Sequence, residues 1–186
     1  MGIVVDVTEQ RHHLRMQEAR LKFSERVRDM TDTAEIAALA ARVIGEAPHV
    51  RRVGLCDIVR DGKAIDVRAE WTAPGQPSLV GADKNADFAV FASALKAGET
   101  VVMTDARTDP RAAGQTPPGV DALANLPLMA GGRLEAALFV NAAEVRDWAE
   151  SELGFMHAML ERACTAIDRL RSEAKCDVLE RGSRTG

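Results

Sequence analysis

Apolar residues recur at helical spacing along the first part of the chain. Residues 8–30 contain no Gly or Pro, and their main apolar stripe consists of Met16, Phe23, Val27 and Met30. We expect this stripe to lie beyond the domain core, where nothing else in the chain covers it. The segment therefore predicts an amphipathic helix that needs a partner.

A second helix is predicted from Ala34 to Ala47. Asp32 and Glu35 have the spacing of a capping box, in which the first side chain accepts a backbone N–H at the start of the helix. Pro48 follows the helix and cannot continue it. These signals place both ends of the predicted helix.

From residue 50 onward, runs of apolar residues read as β-strands. Asp61-Gly62 and Gly131-Gly132 stand between such runs and predict turns. The predicted strands are 50–59, 64–71, 100–103, 123–129 and 133–141. The strand residues expected to face the core are Val53, Leu55, Leu126, Leu128, Leu138 and Val140. A short helix is predicted at 86–97, with Gly98 just past its end. The segments 72–84 and 105–119 are expected to be long loops.

The last predicted helix is the longest and carries two apolar stripes. We expect Asp147 to cap its start. The first stripe keeps a three-and-four spacing and consists of Leu153, Met156, Leu160, Ala163, Ile167, Leu170 and Ala174. The second consists of Phe155, Met159 and Ala166. We expect one stripe to cover the sheet and the other to meet a partner chain.

The order of these elements predicts an α+β fold. We expect an antiparallel sheet with helices on one face, and long helices at the amino and carboxyl ends. A chain of 186 residues has the length of one ordinary domain.

Composition narrows the classes of function. The net charge is -4, and the chain has five Phe, two Trp and no Tyr. Such a chain is a poor partner for nucleic acid, which is bound by cationic side chains and aromatic stacking. Cys56, Cys164 and Cys176 are far apart and form no CxxC pair, which predicts neither a disulfide framework nor a metal site and favours a cytoplasmic location. No apolar run approaches the roughly 20 residues that a membrane helix needs, so no membrane contact is expected.

Three segments of the second half resemble the GAF domain family. VVMTDARTDPRAAG, from Val101, is similar to the strand and the D-x-R-x-D-P-R loop of that family. LANLPLMAGGRLEAALFVN resembles its paired late strands. EVRDWAESELGFMHAMLERACTAIDRLRSEA resembles its closing helix, which in sensor histidine kinases continues into the kinase. The resemblance covers residues 32–174 and implies a bacterial sensory protein of the two-component, sensor histidine kinase type.

The amino terminus is similar to a different sensory module. GIVVDVTEQRHHLRMQEA resembles the last strand of a PAS domain and the helix that leaves it. This interpretation divides the chain into a PAS-like strand remnant at 1–8, a linker helix at 9–31, the GAF domain at 32–174 and a disordered tail at 175–186. PAS and kinase domains would then be neighbours of this chain in a longer protein. The alternative is an ordinary strand followed by a linker helix.

The GAF resemblance implies a sensor that does no chemistry itself. It would bind an unidentified small molecule, or relay an upstream signal, through the terminal helices of a homodimer. A pocket is expected between the sheet and the loops at 72–87 and 105–119. Its candidate lining residues are Phe88, Phe91, Asp105, Arg111, Asn125, Phe139 and Asn141. The alternatives are a dimerisation module without a ligand and a cysteine-dependent redox enzyme of the same fold.

Specialised members of the family have motifs that this sequence lacks. Bilin-attaching domains often have a Cys followed by His, and none of the three cysteines here is followed by His. Domains that bind cyclic nucleotides have an Asn where DKNADFAVFAS has Asp83, and they have an Asp-Glu pair that is missing here. The reductase of free methionine sulfoxide uses cysteines in loops, whereas these cysteines are predicted in or near regular elements. We therefore expect no covalent bilin and no catalysis.

Asp105, Asp109 and Arg111 form a polar cluster with two interpretations. Arg111 or Arg107 would meet an anionic ligand if the loop bends over a pocket. Alternatively, the two carboxylates hold the loop itself, with an Asx turn at Asp109. We favour the second interpretation.

Overall fold

The computed structural model describes residues 7–46, 50–60, 64–78, 80, 85–112 and 119–183. Within these ranges the helices are α1 (Val7–Arg28), α2 (Thr33–Gly45), α3 (Asn85–Lys96) and α4 (Glu150–Ser183). The strands are β1 (Val50–Val59), β2 (Ala64–Thr72), β3 (Val101–Met103), β4 (Ala122–Ala130) and β5 (Arg133–Ala142).

The strands form one antiparallel sheet in the order β2-β1-β5-β4-β3. Gly131 and Gly132 join β4 to β5 with φ values of 55° and 75°. Two positive φ angles are the geometry of a type I′ turn, so this hairpin forms where the sequence predicted it. The other predicted turn, Asp61-Gly62, lies outside the described residues.

Apolar side chains on one face of the sheet form the main core. Val53 pairs with Val140, and Leu55 with Leu138, and all four are buried among α2 and α4. Leu126 is buried beside them and Leu128 is partly buried. The six predicted core residues therefore all face this side, which we call the bundle face.

The short helix α3 packs on the opposite face, which we call the α3 face. Leu95 of α3 is buried with Val101, and Phe91 packs against this pair. Val101 pairs with Asn125, which alternates along β4 with the bundle-face residue Leu126. The α+β fold class and the antiparallel sheet are confirmed. The expectation that the helices cover one face is met by α1, α2 and α4 but not by α3, whose Leu95 and Phe91 pack on the opposite face.

The start of α2 agrees with its predicted cap. Asp32 Oδ1 accepts the backbone N–H of Ala34 at 2.7 Å and that of Glu35 at 3.4 Å. The helix buries Ile36 and Ile44 against the sheet and α4. It ends at Gly45, two residues before the predicted end.

The prediction that nothing in the chain covers the stripe of α1 is wrong. Phe23 is 1% exposed and Val27 is also buried, in the same core as α2 and α4, with Met16 and Met30 packed against them. The apolar stripe of α1 lies on α4, because burying it within the chain removes apolar surface from water. Among the described apolar side chains of α1, Leu14 and Leu21 are exposed to solvent, at 57% and 66% of their full accessible surface.

Helices α1 and α4 lie side by side and run in the same direction. Arg162 Nε donates to Ser24 Oγ at 3.0 Å, and Arg169 Nη2 to the carbonyl oxygen of Arg28 at 3.5 Å. Because α1 ends at Arg28, the part of α4 after residue 169 continues beyond α1 for about 20 Å, at 1.5 Å per residue.

Both apolar stripes of α4 are used within the chain, which corrects the expectation that one of them meets a partner. Met156 and Leu160 of the first stripe are buried, and so are Phe155 and Met159 of the second. Two stripes are needed because α4 covers the sheet on one side and receives α1 and α2 on the other. Ala174, at the end of the first stripe, is exposed.

The start of α4 differs from the prediction. The helix begins at Glu150, and the capping role falls to Ala149 rather than Asp147. Glu152 Oε2 accepts the N–H of Ala149 at 3.2 Å, and Arg146 Nη2 holds the same carboxylate at 2.6 and 2.7 Å. A carboxylate three residues into the helix can thus cap it when the capping residue has no polar side chain.

The end of α4 also differs from the prediction. Residues 175–183, expected to belong to a disordered tail, continue the helix to Ser183. Lys, Leu, Glu and Arg in this segment have high helix propensity, and extending an existing helix needs no new nucleus.

The predicted PAS-like strand falls largely outside the described residues. Residues 1–6 are not described, and Val7 and Thr8 belong to α1. Within the described ranges, the helices lack the combination of length and apolarity that crossing a membrane requires.

Candidate functional site

The α3 face of the sheet brings three of the predicted site residues together. Asn125 pairs directly with Phe139 across β4 and β5, and Asn141 lies two residues further along β5. Because side chains alternate along a strand, all three lie on the same face. Both asparagines are buried and Phe139 is partly exposed.

The ring of Phe139 lies across β1 where that strand has no side chain. Phe139 pairs with Gly54, and a Cβ atom at Gly54 would overlap the Phe139 ring. Glycine at this position therefore leaves the space that the Phe139 ring occupies over the neighbouring strand.

Sequence reasoning missed two charged residues on the same face. Arg52 pairs with Asn141, and Glu70 pairs with Gly54. Arg52 is 6% exposed, and the side chain of Glu70 is 7% exposed. A charged residue in a strand ordinarily predicts a solvent-facing position, so only the buried residues around Arg52 in β1 could have indicated this placement.

The guanidinium of Arg52 has one strong contact and one unpaired donor. Its Nη2 donates to the carbonyl oxygen of Pro77 at 2.6 Å. Its Nε lies 4.0 Å from Glu70 Oε2, beyond hydrogen-bond distance, and this buried atom has no hydrogen-bond partner. Burying a hydrogen-bond donor without an acceptor raises the free energy of the folded state. An unpaired buried donor in a native structure therefore needs an explanation.

The described parts of both predicted loops lie over this face. Pro77 of the first loop reaches Arg52, as above. Ala106 and Ala112 of the second loop are buried with Met103 and Leu123 of the sheet, and Phe91 of α3 packs against them. Residues 79, 81–84 and 113–118, together with the side chain of Phe88, lie outside the description.

Asp105 and Asp109 hold the second loop by the same local device. Asp105 Oδ1 accepts the backbone N–H of Arg107 at 3.0 Å, and Asp109 Oδ1 accepts that of Arg111 at 2.9 Å. Each carboxylate also binds the guanidinium of that arginine. The arginine hydrogen bonds lower the pKa of both carboxyls, and the carboxylates raise the pKa of both arginines. This geometry agrees with the favoured interpretation, in which the carboxylates shape the loop.

Arg111 has a further structural contact. Its Nη2 donates to the carbonyl oxygen of Val102 at 2.8 Å. Val102 lies on β3, the edge strand, so the arginine occupies an acceptor that would otherwise face outward from the sheet. The structure thus places Arg111 at the sheet edge and leaves Asn125, Phe139 and Asn141 as the predicted residues at the centre of the α3 face.

The cysteines lie in different environments. Burial raises the pKa of Cys56 to about 12 and that of Cys164 to about 12. Cys176 is exposed on the free part of α4. Across the described ranges, His, Cys, Asp and Glu side chains do not gather into a group of three that could hold a metal ion.

Comparison with known proteins identifies the family. A family model of the GAF domain matches residues 32–167, which is well over half of the chain. No curated protein matches.

Solved structures share the fold at low sequence identity. The GAF domain of a phosphoenolpyruvate-protein phosphotransferase from Coxiella burnetii is 16% identical, with a TM-score of 0.71 over 88% of this chain and 98% of that one. The phycoerythrobilin-bound GAF domain of a cyanobacterial phytochrome is 19% identical, with a TM-score of 0.71 over 85% and 96%. The free methionine-R-sulfoxide reductase from Neisseria meningitidis, in complex with its substrate, is 18% identical, with a TM-score of 0.68 over 85% and 91%. These likenesses concern the fold alone, and together with the family match they lead to one conclusion: the chain belongs to the GAF domain family.

Proposed function

We propose that this chain is a sensory domain that binds a small molecule on the α3 face and relays its occupancy through α1 and α4 of a homodimer. GAF domains are generally sensory or regulatory modules. The observation that carries the proposal is the row of buried polar side chains on the α3 face: Arg52, Asn125 and Asn141.

Buried polar groups at the centre of a sheet need a reason. Apolar side chains would pack there without desolvation cost, as they do on the bundle face. Small-molecule sites combine apolar walls with a few convergent polar groups. Phe139 and Phe91 supply apolar surface, and Asn125 and Asn141 supply donors and acceptors.

The same strands connect the two faces of the sheet. Asn125 lies next to Leu126 on β4, and Asn141 lies next to Val140 on β5; the two apolar residues belong to the core with α2 and α4. A ligand that favours one arrangement of these strands favours the helix arrangement packed on it, by as much as its affinities for the two arrangements differ. The segment of α4 beyond residue 169 would carry that change away from the domain.

The dimer surface is proposed on the outer side of α1. Leu14 and Leu21 are exposed and seven residues apart, so they lie on one stripe of the helix. Beside Leu21 is a groove of about 240 Å³, lined by Gln17, Arg20, Leu21, Ser24 and Arg162. A two-fold pairing of α1 helices would bury these leucines against their copies.

A cysteine-dependent enzyme is the alternative from another class, because one similar structure is a reductase. The nucleophile in such chemistry is a thiolate. The raised pKa of Cys56 and of Cys164 keeps both thiols protonated at neutral pH. Their environments therefore favour the sensory function.

The proposed ligand site is tested by identifying the small molecules that remain bound to the purified protein. Full-length protein, purified under native conditions and desalted, is denatured, and the released small molecules are identified by mass spectrometry. We expect one compound in stoichiometric amount, lost from Asn125→Ala and kept by Arg133→Ala, a matched change of an exposed residue at the hairpin turn. Equal amounts in both variants would contradict a site on the α3 face.

The dimer half is tested by mass in solution. Light scattering at micromolar concentration should report about twice the chain mass of 20.1 kDa. The double variant Leu14→Glu and Leu21→Glu should be a folded monomer, while Val145→Glu, at another exposed apolar residue, should remain a dimer. A monomeric parent protein would contradict the proposed dimer, and the proposal would then be reduced to a monomeric ligand-binding domain.

A further inference from the structure

The outer side of α1 carries a pattern of charges beside its exposed leucines. We propose that two copies of the chain pair their α1 helices in parallel, with Glu25 of the partner subunit accepting hydrogen bonds from Arg20 and Arg162. This inference rests on the proposed dimer and adds its orientation and the residues that select it.

The first step is the spacing of the residues on this side of the helix. Four of them follow one another at intervals of three, four and three: Leu14, Gln17, Leu21 and Ser24. This is the spacing of the inner positions, a and d, of a coiled coil. The row, which we call the α1 seam, has exposed leucines at a and polar residues at d. Because so little of the seam is apolar, the charges beside it have a large share in deciding how two helices pair.

The second step is the sign of the charge on each side of the α1 seam. The g positions, directly before the leucines, are His13 and Arg20, and the e positions are Glu18 and Glu25. In a parallel pair, each g residue lies beside the next e residue of the other helix, so Arg20 meets Glu25 of the partner subunit. An antiparallel pair would bring the two basic sides together and the two acidic sides together, and repulsion disfavours it.

The third step is the groove between α1 and α4. Its volume is about 240 Å³, and its described lining includes Arg20 and Arg162 but no carboxylate. Arg162 Nε donates to Ser24 Oγ at 3.0 Å, which leaves the Nη groups for another acceptor. Within the described residues, neither arginine forms an ion pair. A carboxylate from a second chain can therefore make charge-assisted hydrogen bonds to both.

A parallel pair also agrees with the proposed relay. Because α1 and α4 run in the same direction within one chain, parallel α1 helices bring both α4 helices out at the same end of the dimer. An antiparallel pair would send the two α4 segments after residue 169 to opposite ends. Only the parallel pair presents both segments to one common neighbour.

Charge reversal tests the assigned contact. Arg20→Glu brings glutamates together and Glu25→Arg brings arginines together, so each variant alone should dimerise about 10-fold more weakly in sedimentation equilibrium. The double variant Arg20→Glu and Glu25→Arg restores one charge of each sign at every contact and should recover most of the affinity. The matched control is Arg26→Glu, which makes the same change of charge at an exposed residue outside the α1 seam and should leave the affinity unchanged.

A distance between the two copies tests the orientation independently. A nitroxide spin label is attached to Cys176, which is exposed on the free part of α4, in a Cys164→Ser background. Parallel pairing separates the two labels by the width of two to three helices, about 20–30 Å. Antiparallel pairing about the midpoint of Leu14 and Leu21 would separate them by about 50–60 Å along the axis, at 1.5 Å per residue.

The outcomes separate this inference from the proposed dimer. A parent protein that is monomeric would remove both. A dimeric parent with the long distance between labels, or with Arg20→Glu and Glu25→Arg no weaker than Arg26→Glu, would overturn the parallel contact and leave the dimer. Weak single variants that the double variant does not rescue would also overturn the contact between Arg20 and Glu25 of the partner subunit.

Discussion

Phe23 connects α1 to the rest of the domain, and its replacement by Ala measures that connection. The side chain is 1% exposed, in the core that α1 shares with α2 and α4. A buried Phe removes roughly 150–250 Å² from water. At about 25 cal/mol per Å² the loss is about 4–6 kcal/mol, close to the roughly 3–5 kcal/mol typical of Phe→Ala changes in cores. This is a large part of the roughly 5–15 kcal/mol that stabilises an ordinary domain.

Urea unfolding followed by circular dichroism measures this effect. The matched control is Lys22→Ala, one residue earlier on α1, where the parent side chain is 74% exposed. The control should change the free energy of unfolding by no more than about 0.5 kcal/mol. If Phe23→Ala unfolds at the same urea concentration as the control, α1 does not pack on the core in solution, and the detached linker helix expected from the sequence is correct.

Three further changes test other parts of the structure. Iodoacetamide at neutral pH, with the sites mapped by mass spectrometry, should label Cys176 and spare Cys56, whose pKa burial raises to about 12; equal labelling would contradict that burial. Gly54→Ala should destabilise the fold by about 1–3 kcal/mol because its methyl group overlaps the Phe139 ring, and Phe139→Ala should relieve much of that cost in the double variant; additive losses would refute the contact. The pKa of Asp109 is lowered in the folded protein, so its stabilising effect is present above the unfolded pKa and is lost as the pH falls through the folded one. Asp109→Asn should therefore lower the urea midpoint at neutral pH, with the gap closing in acid; a gap independent of pH would argue against the ion pair.

The strands and α2 could be predicted because local chemistry and burial agree there. In β1 and β5, Val53 and Val140 alternate with residues of the other face, and the glycine pair between β4 and β5 takes the positive φ angles of its turn. The bundle-face core follows from that alternation alone.

The terminal helices were harder to predict, since their apolar stripes do not say what covers them. Phe23 and Met159 are equally consistent with a partner chain or with the chain's own core, and only the parallel packing of α1 on α4 decides between them. The cap at Ala149 was missed because the carboxylate that makes it belongs to Glu152, three residues inside the helix.

The candidate site was half predicted. Asn125, Phe139 and Asn141 were named because a pocket was expected between the sheet and the two long loops, and the three residues do lie together on one face. Arg52 and Glu70 were not chosen, because the sequence does not show that these two charged side chains, on adjacent strands, lie 4.0 Å apart and buried.

The central claim is that a ligand on one face of the sheet alters the helices on the other. Hydrogen–deuterium exchange of the full chain, with and without the compound that the native protein releases or binds, tests it most directly. We expect slower exchange in β4 and β5, together with a change in α4 after Ile167, where the helix leaves the core. Slower exchange confined to the strands, with α4 unchanged throughout, would contradict the relay.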